Sequence, residues 1–147
     1  MKISTKGRYG LRILLDLAAH QKKGPVNLGD ISRRQGISEK YLWQVINLAK
    51  AAGLINSARG PKGGYTVAKP ADKISLLDII SALEGPIVLV DCLDKAGSCD
   101  RSSSCVTREV WGQIEDNMKQ TMSKITLQDL VDKQEARATG QASSYDI

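Results

Sequence analysis

All three cysteines of this 147-residue chain, Cys92, Cys99 and Cys105, fall inside one stretch, "CLDKAGSCDRSSSC". Their spacers are six and five residues long and contain Gly97, Ser102, Ser103 and Ser104, so the backbone can wrap around a common centre. An odd number of cysteines leaves a remainder in any intrachain disulfide scheme, which favours metal binding or redox chemistry over a structural framework. Structural zinc sites use pairs spaced by two to four residues, tighter than these. The longer spacers suit a larger object, and iron-sulfur clusters take Cys thiolates while accepting other residues at a corner. Spacing alone ranks a cluster above zinc and zinc above a plain thiol sensor, without wide separation. No histidine lies in the loop or just after it, so a fourth ligand has to be sought elsewhere.

The elements that must position such a loop are helical by pattern. Leu11, Leu14, Leu15 and Ala18 recur at helical spacing over residues 5 to 20, with Ser4 or Thr5 as cap. Asn27 caps a second helix that stops before Gly36, and Ser38 caps a third whose Leu42, Val45, Ile46 and Ala49 share one apolar face, closed by Gly53. Two short helices around "QGIS" match a helix-turn-helix. "LINSAR" and "YTVA", joined by "GPKGG", predict a two-stranded β-hairpin wing carrying Arg59 and Lys62. The glycines lack the Gly-Lys-Ser/Thr ending of a phosphate loop. Ser75 caps a fourth helix with Leu76, Ile79, Ile80 and Leu83 on its apolar side.

From residue 106 a long helix carries Val110, Trp111, Ile114, Met118, Met122 and Ile125 at spacings near three and four, a stripe suited to pairing with a second copy. Thr126 to Asp129 caps a further short turn, and the last residues have no periodicity and are expected to lack structure. The expected fold is mainly α: a winged helix-turn-helix region with a two-stranded wing over residues 1–75, a sensor loop and dimerisation helices over 76–132, and a tail over 133–147.

Charge is segregated along the chain. Residues 1–75 carry 14 Lys and Arg against 4 Asp and Glu, a balance of +10, whereas residues 76–147 carry 7 against 12, a balance of −5. The first half is built to meet a polyanion, and nucleic acid is the expected partner. No span approaches the roughly 18 to 20 apolar residues of a membrane helix. Arg12 and Asp16 interrupt the apolar stretch near the start, against a signal peptide, so a cytoplasmic location is expected. No catalytic constellation is present, and the chain is not expected to be an enzyme.

At "STKGRYGLR", "DISRRQGIS", "GLINSARGPKGGY" and the three-Cys loop followed by "TREVW", the sequence resembles the IscR and CymR group of bacterial winged-helix regulators, nearest its iron-sulfur members, over residues 1 to about 141. The resemblance implies a homodimeric transcription regulator bound to double-stranded DNA at an approximately palindromic operator, with the C-terminal helices crossing at the dimer interface. It implies base contacts from Lys40, Trp43 and Gln44, a phosphate-facing Tyr41, and a wing Arg59 in the minor groove. Gln44 suits this independently, since a carboxamide bonds adenine N6 and N7 together. Trp43 departs from the iron-sulfur regulators, which often carry Glu there.

The same resemblance implies a [2Fe-2S] cluster on Cys92, Cys99 and Cys105, and a regulator of iron-sulfur cluster biogenesis genes. In cluster-binding relatives a histidine three residues after the last Cys completes the set; here that residue is Arg108, which stays protonated and cannot ligate. His20 lies far along the chain, and the first helix offers Arg8 and Arg12 in place of the acidic residue some related nitric oxide sensors use. Glu109 and the loop acids Asp91, Asp94 and Asp100 remain, with Glu109 preferred because it directly follows the family's ligand position. Rival functions are a cysteine-metabolism repressor or nitric oxide sensor of the same group, and, from another class, an iron-sulfur carrier or scaffold without specific DNA binding.

Overall fold

Ser4 starts the first helix, α1 (Thr5–His20), by accepting the Gly7 amide on its hydroxyl. The computed structural model describes residues 2–145, with side chains described for residues 2–140. Asn27 caps α2 (Leu28–Gln35) through the Asp30 amide, and Gly36 ends it at φ 64°, the left-handed conformation that costs glycine nothing. Ser38 then caps α3 (Glu39–Ala51) through the Tyr41 amide. The hairpin follows, with β1 (Ile55–Ala58) antiparallel to β2 (Gly64–Val67) in a register that sets Ile55 opposite Val67 and Ala58 opposite Gly64. Val26 adds a bridge to Tyr65 on the outer side of β2, fastening the wing to the start of α2. Gly64 permits that closeness, because a Cβ there would lie 2.4 Å from the Val26 carbonyl oxygen.

Ser75 and Asp78 form a reciprocal capping box at the start of α4 (Leu76–Glu84). A single turn, α5 (Asp91–Asp94), precedes the glycine- and serine-rich loop, and Cys105 stands at the N-cap of α6 (Val106–Lys124). Thr126 and Asp129 exchange cap bonds at the start of α7 (Leu127–Tyr145). The last helix returns to the first half of the chain: the Leu127 amide donates to the Ile74 carbonyl and the Leu76 amide to that of Ile125, either side of a Ser75–Thr126 bridge.

One apolar core joins these elements. Ile13, Leu14 and Leu17 of α1, Ile31 of α2, Leu42, Val45, Ile46 and Ala49 of α3, and Leu54, Ile55 and Val67 of the hairpin pack with Ile74, Ile79, Leu83 and Leu127. Branched aliphatics fill it because the chain has no Phe. The apolar face expected for α3 is the buried one. On α1 the buried line is Gly10, Ile13, Leu14 and Leu17, while Leu11, Leu15 and Ala18 flank it, because α3, α4 and α7 all pack against α1. The cap expected at Thr126 and Asp129 opens a 19-residue helix and not a short turn, and the helix continues over residues 133–145, where the sequence pattern suggested an unstructured tail. Residues 146 and 147 of that tail lie outside the described residues.

A carboxylate 80 residues away completes the N-terminal cap of α1. Glu84 Oε1, at the end of α4, accepts from the amides of Ser4 (3.0 Å) and Gly7 (3.1 Å) and from the Ser4 hydroxyl. Glycine at position 7 makes room, since a Cβ there would meet Glu84 Oε1 at 2.2 Å. The Ser4 hydroxyl first, then the two amides, hold the Glu84 carboxyl below its ordinary range. A depressed folded-state pKa contributes stability above the unfolded value near ~4.3 and loses it as pH falls through the folded value. Glu84→Ala is therefore expected to cost about 1 to 2 kcal/mol at pH 7 in urea unfolding, as loss of a helix cap does, with the gap to the parent narrowing below about pH 4.

Candidate nucleic-acid interface and cysteine loop

The junction of α1 and α2 is set by a buried carboxylate. Asp16, only 2% exposed, accepts from Arg34 Nε (2.9 Å), Arg34 Nη2 (2.6 Å) and Gln35 Nε2 (2.8 Å). Arg12 bonds both the side-chain and main-chain oxygens of Gln35. The Ser32 hydroxyl donates to the Ile37 carbonyl and closes the turn into α3. With α2 held this way and Leu42, Val45, Ile46 and Ala49 inward, α3 presents Lys40, Trp43 and Gln44 to solvent.

Tyr41 is half-buried, its ring edge-on to Tyr9 with centroids 5.8 Å apart, and the guanidinium groups of Arg12 and Arg8 lie 5.2 and 5.9 Å from the Tyr9 ring centre. These cations stand beside α3, where a phosphate chain running past it would be met. Arg59 is exposed in the hairpin turn. Asn47 was missed by the sequence reading; it follows Lys40 by seven, Trp43 by four and Gln44 by three, so it lies on the same stripe and adds a second carboxamide. The seven-residue step from Lys40 was the available signal.

The cysteine loop follows α4 in the chain, between α5 and α6. Cys92 lies in α5, Cys99 is exposed in the loop, and Cys105 begins α6. Cys105 Sγ is 3.1 Å from the Thr107 hydroxyl, which lowers its pKa, helped by the backbone amides of Arg108 and Thr107 and by the charge of Arg101. Arg108 Nε donates to the Cys92 carbonyl at 3.1 Å, so the residue three positions after Cys105 ties the loop's start to α6. Glu115, the one buried side chain of α6 among the described residues, accepts from the Leu89 amide (3.0 Å) and from Lys119 (2.6 Å). The Lys119 bond, followed by that amide, keeps its carboxyl below the ordinary range.

Glu109 is exposed in the first turn of α6, four positions after Cys105, and His20 is held to its own helix, its Nδ1–H donating to the Asp16 carbonyl at 2.8 Å. Among the described residues no three His, Cys, Asp or Glu side chains are gathered as a metal site. The donor chemistry nevertheless suits a thiolate-bound iron-sulfur group: three thiols fall within 14 residues, across a short helix, a loop and a helix start, and the one at the helix N-terminus, with Arg101 nearby, has its pKa lowered. Holding it requires the loop to draw its cysteines together.

The outward faces of α6 carry apolar residues. Val106 is 70% exposed and Ile114 45%, with Val110 and Trp111 between them also exposed. Among the described residues no helix is long and apolar enough to cross a membrane.

A helix-turn-helix with a two-stranded wing, outward polar side chains on its second helix and a basic first half define a DNA-binding protein of the winged-helix class. Residues 3–133 match the Rrf2 family, described as iron-dependent transcriptional regulators, and the chain belongs to that family. It is 41% identical over 131 residues to Protein rrf2 of Nitratidesulfovibrio vulgaris, covering 89% of this chain and 87% of that one. It is 39% identical over 135 residues to the HTH-type transcriptional regulator IscR of Escherichia coli K12, covering 92% and 83%.

Among solved structures, CymR, the global cysteine regulator of B. subtilis, superposes with a TM-score of 0.76 at 39% identity, covering 90% of this chain and 98% of that one. IscR of T. potens does so with 0.76 at 37%, covering 93% and 90%. The protein is a regulator of transcription and not an enzyme.

Proposed function

We propose that the protein is a cytoplasmic homodimer that binds an approximately palindromic operator in double-stranded DNA and senses iron-sulfur cluster status through its cysteine loop, with iron-sulfur assembly genes as its targets. The observation that carries the reading is the outward stripe of α3, together with Arg59 exposed in the hairpin turn, on the strongly basic half of the chain. Lys40, Trp43 and Gln44 meet base edges, Tyr41 meets phosphate and Arg59 enters the minor groove. Pairing through α6 covers Val106, Val110, Trp111 and Ile114 and places two reading helices about one or more DNA turns apart, near 34 Å per turn. A groove lined by Ile3, Gly7, Arg8, Leu11, Leu76, Ile80 and Met122 lies between α1, α4 and the end of α6.

Cys92, Cys99 and Cys105 hold the [2Fe-2S] cluster, and Glu109 supplies the fourth ligand; a residue four positions beyond the N-cap Cys105 shares its flank of the helix. When bound, the cluster supplies a redox-active and labile centre. The chain's own part is to favour the Cys105 thiolate and to clasp the loop onto α6 through Arg108 and Glu115, so that the state of the loop bears on the dimer helix.

Two experiments test the two halves. Gln44→Ala is expected to relax discrimination at one base pair by about 1 to 3 kcal/mol. Arg59→Ala is expected to weaken binding and flatten its salt dependence. Unchanged operator binding by both variants would remove the assignment of α3 and the wing. For the loop, anaerobic reconstitution is expected to give iron and sulfide in the parent protein, none in any Cys→Ala variant, and less in Glu109→Ala. Full retention by Glu109→Ala moves the fourth ligand to a loop aspartate or His20.

A second reading draws on the likeness to CymR and on the three free thiols: a cysteine-metabolism repressor. A parent protein that takes up no iron and sulfide yet binds its operator would favour it.

A further inference from the structure

We infer that Trp43 is a specificity-determining residue that reads the C5-methyl group of a thymine in the major groove, beside the adenine that Gln44 reads. This deepens the DNA-reading assignment above and rests on it.

Trp43 is 56% exposed although it is one of only two tryptophans in the chain. The inward face of α3 is already filled by Leu42, Val45, Ile46 and Ala49, so the indole has no place in the core. Among the described residues no ring contact, cation–π contact or hydrogen bond involves its indole. It is set between Lys40 and Gln44 on the outward stripe, at helical spacings that give all three side chains one flank. A large apolar surface left in water on a groove-reading helix is covered only when a partner arrives.

The chemistry of the major groove selects that partner. Most base-edge groups there are hydrogen-bond donors or acceptors, and the apolar exception is the thymine methyl. Gln44 bonds adenine N6 and N7, and the thymine opposite that adenine shows its methyl in the same groove. An apolar side chain next to the carboxamide therefore completes the reading of one A·T pair or of the step beside it. The arrangement excludes water from the methyl, worth roughly fourfold in affinity at ~0.8 kcal/mol per buried methyl.

The operator is first selected from a random-sequence duplex library with the full-length protein. Each thymine is then replaced singly by deoxyuridine, which removes the methyl and leaves every hydrogen-bonding group in place. Dissociation constants are measured by fluorescence anisotropy for the parent, Trp43→Phe and Trp43→Ala. Because Trp43 is outside the core, both variants are expected to keep the parent's circular dichroism. One thymine per half-site is expected at which deoxyuridine weakens the parent and Trp43→Phe roughly fourfold, while Trp43→Ala binds both duplexes equally.

The inference is overturned if no deoxyuridine weakens the parent, or if Trp43→Ala keeps the parent's penalty. It is also overturned if Trp43→Phe behaves as Trp43→Ala, which would give the role to the indole N–H. Failure to enrich any sequence strikes the DNA-reading assignment itself, so the two failures are told apart at the first step.

Discussion

Replacing Ile114 by Asp is expected to turn a dimer into a monomer with unchanged helix content. Ile114 is 45% exposed on α6 in the single chain, and it belongs to a line with Val106, Val110 and Trp111 that the chain's own core leaves uncovered. The one buried side chain of that helix among the described residues is an acid, Glu115, while Val106, Val110, Trp111 and Ile114 are left exposed. Such a helix gains stability from a second copy rather than from its own domain. An Asp at the pairing face buries an unpartnered charge once per protomer, at a cost of several kcal/mol. At about 1.4 kcal/mol per tenfold, that raises the dimer dissociation constant by roughly two orders of magnitude or more. Sedimentation equilibrium at micromolar concentration reads the change. A parent chain that sediments as a monomer, or an Ile114→Asp chain that stays dimeric, removes α6 as the interface.

The second large effect falls at the junction of α1 and α2. Asp16→Ala is expected to destabilise the fold by about 3 kcal/mol, because it removes the buried partner of Arg34 and leaves Gln35 without its acceptor. Arg34 keeps 29% of its side chain exposed and can be rehydrated, which holds the cost at the lower end of the range for broken buried pairs. For a chain of this length the loss corresponds to a melting temperature lower by roughly 6 to 12 °C. Arg34→Ala in the Asp16→Ala background should then cost much less than in the parent, since the two side chains act as a pair. Additive losses in that double-mutant cycle would show that Asp16 and Arg34 are not coupled. The same variant should weaken operator binding beyond its stability effect, as Asp16 fixes the angle at which α2 delivers α3.

What could be read from the sequence was local. Ser4, Asn27, Ser38 and Ser75 are visible as caps because a hydroxyl or amide a few residues before an apolar run has a single neighbouring amide to satisfy, and each does so. The inward face of α3 followed from its spacing because that helix is covered on one side. On α1 the same method chose Leu11, Leu14, Leu15 and Ala18; Leu14 is buried, whereas the other three lie at the edge of the buried line, because α2, α3, α4 and α7 all press on α1 and its face is not a simple stripe. Pairings between distant residues left no local trace. Glu84 caps a helix 80 residues earlier, and Asp16 meets Arg34 across 18. Nor did the end of the chain: residues 133–140 are exposed on every side, so a helix there has no apolar period to announce it. In the cysteine loop the residue types spoke for ligation, whereas the role of Arg108 as a clasp on the Cys92 carbonyl emerged only from the fold.

On the proposed function, the state of the cysteine loop governs how α3 and the wing meet DNA. This dependence is tested most directly by titrating the selected operator anaerobically with reconstituted protein and with the same protein stripped of iron and sulfide, at one fixed salt concentration. Affinities that differ by about tenfold or more are expected, the ~1.4 kcal/mol that a modest coupling between two sites supplies. Equal affinities for the two forms would contradict it.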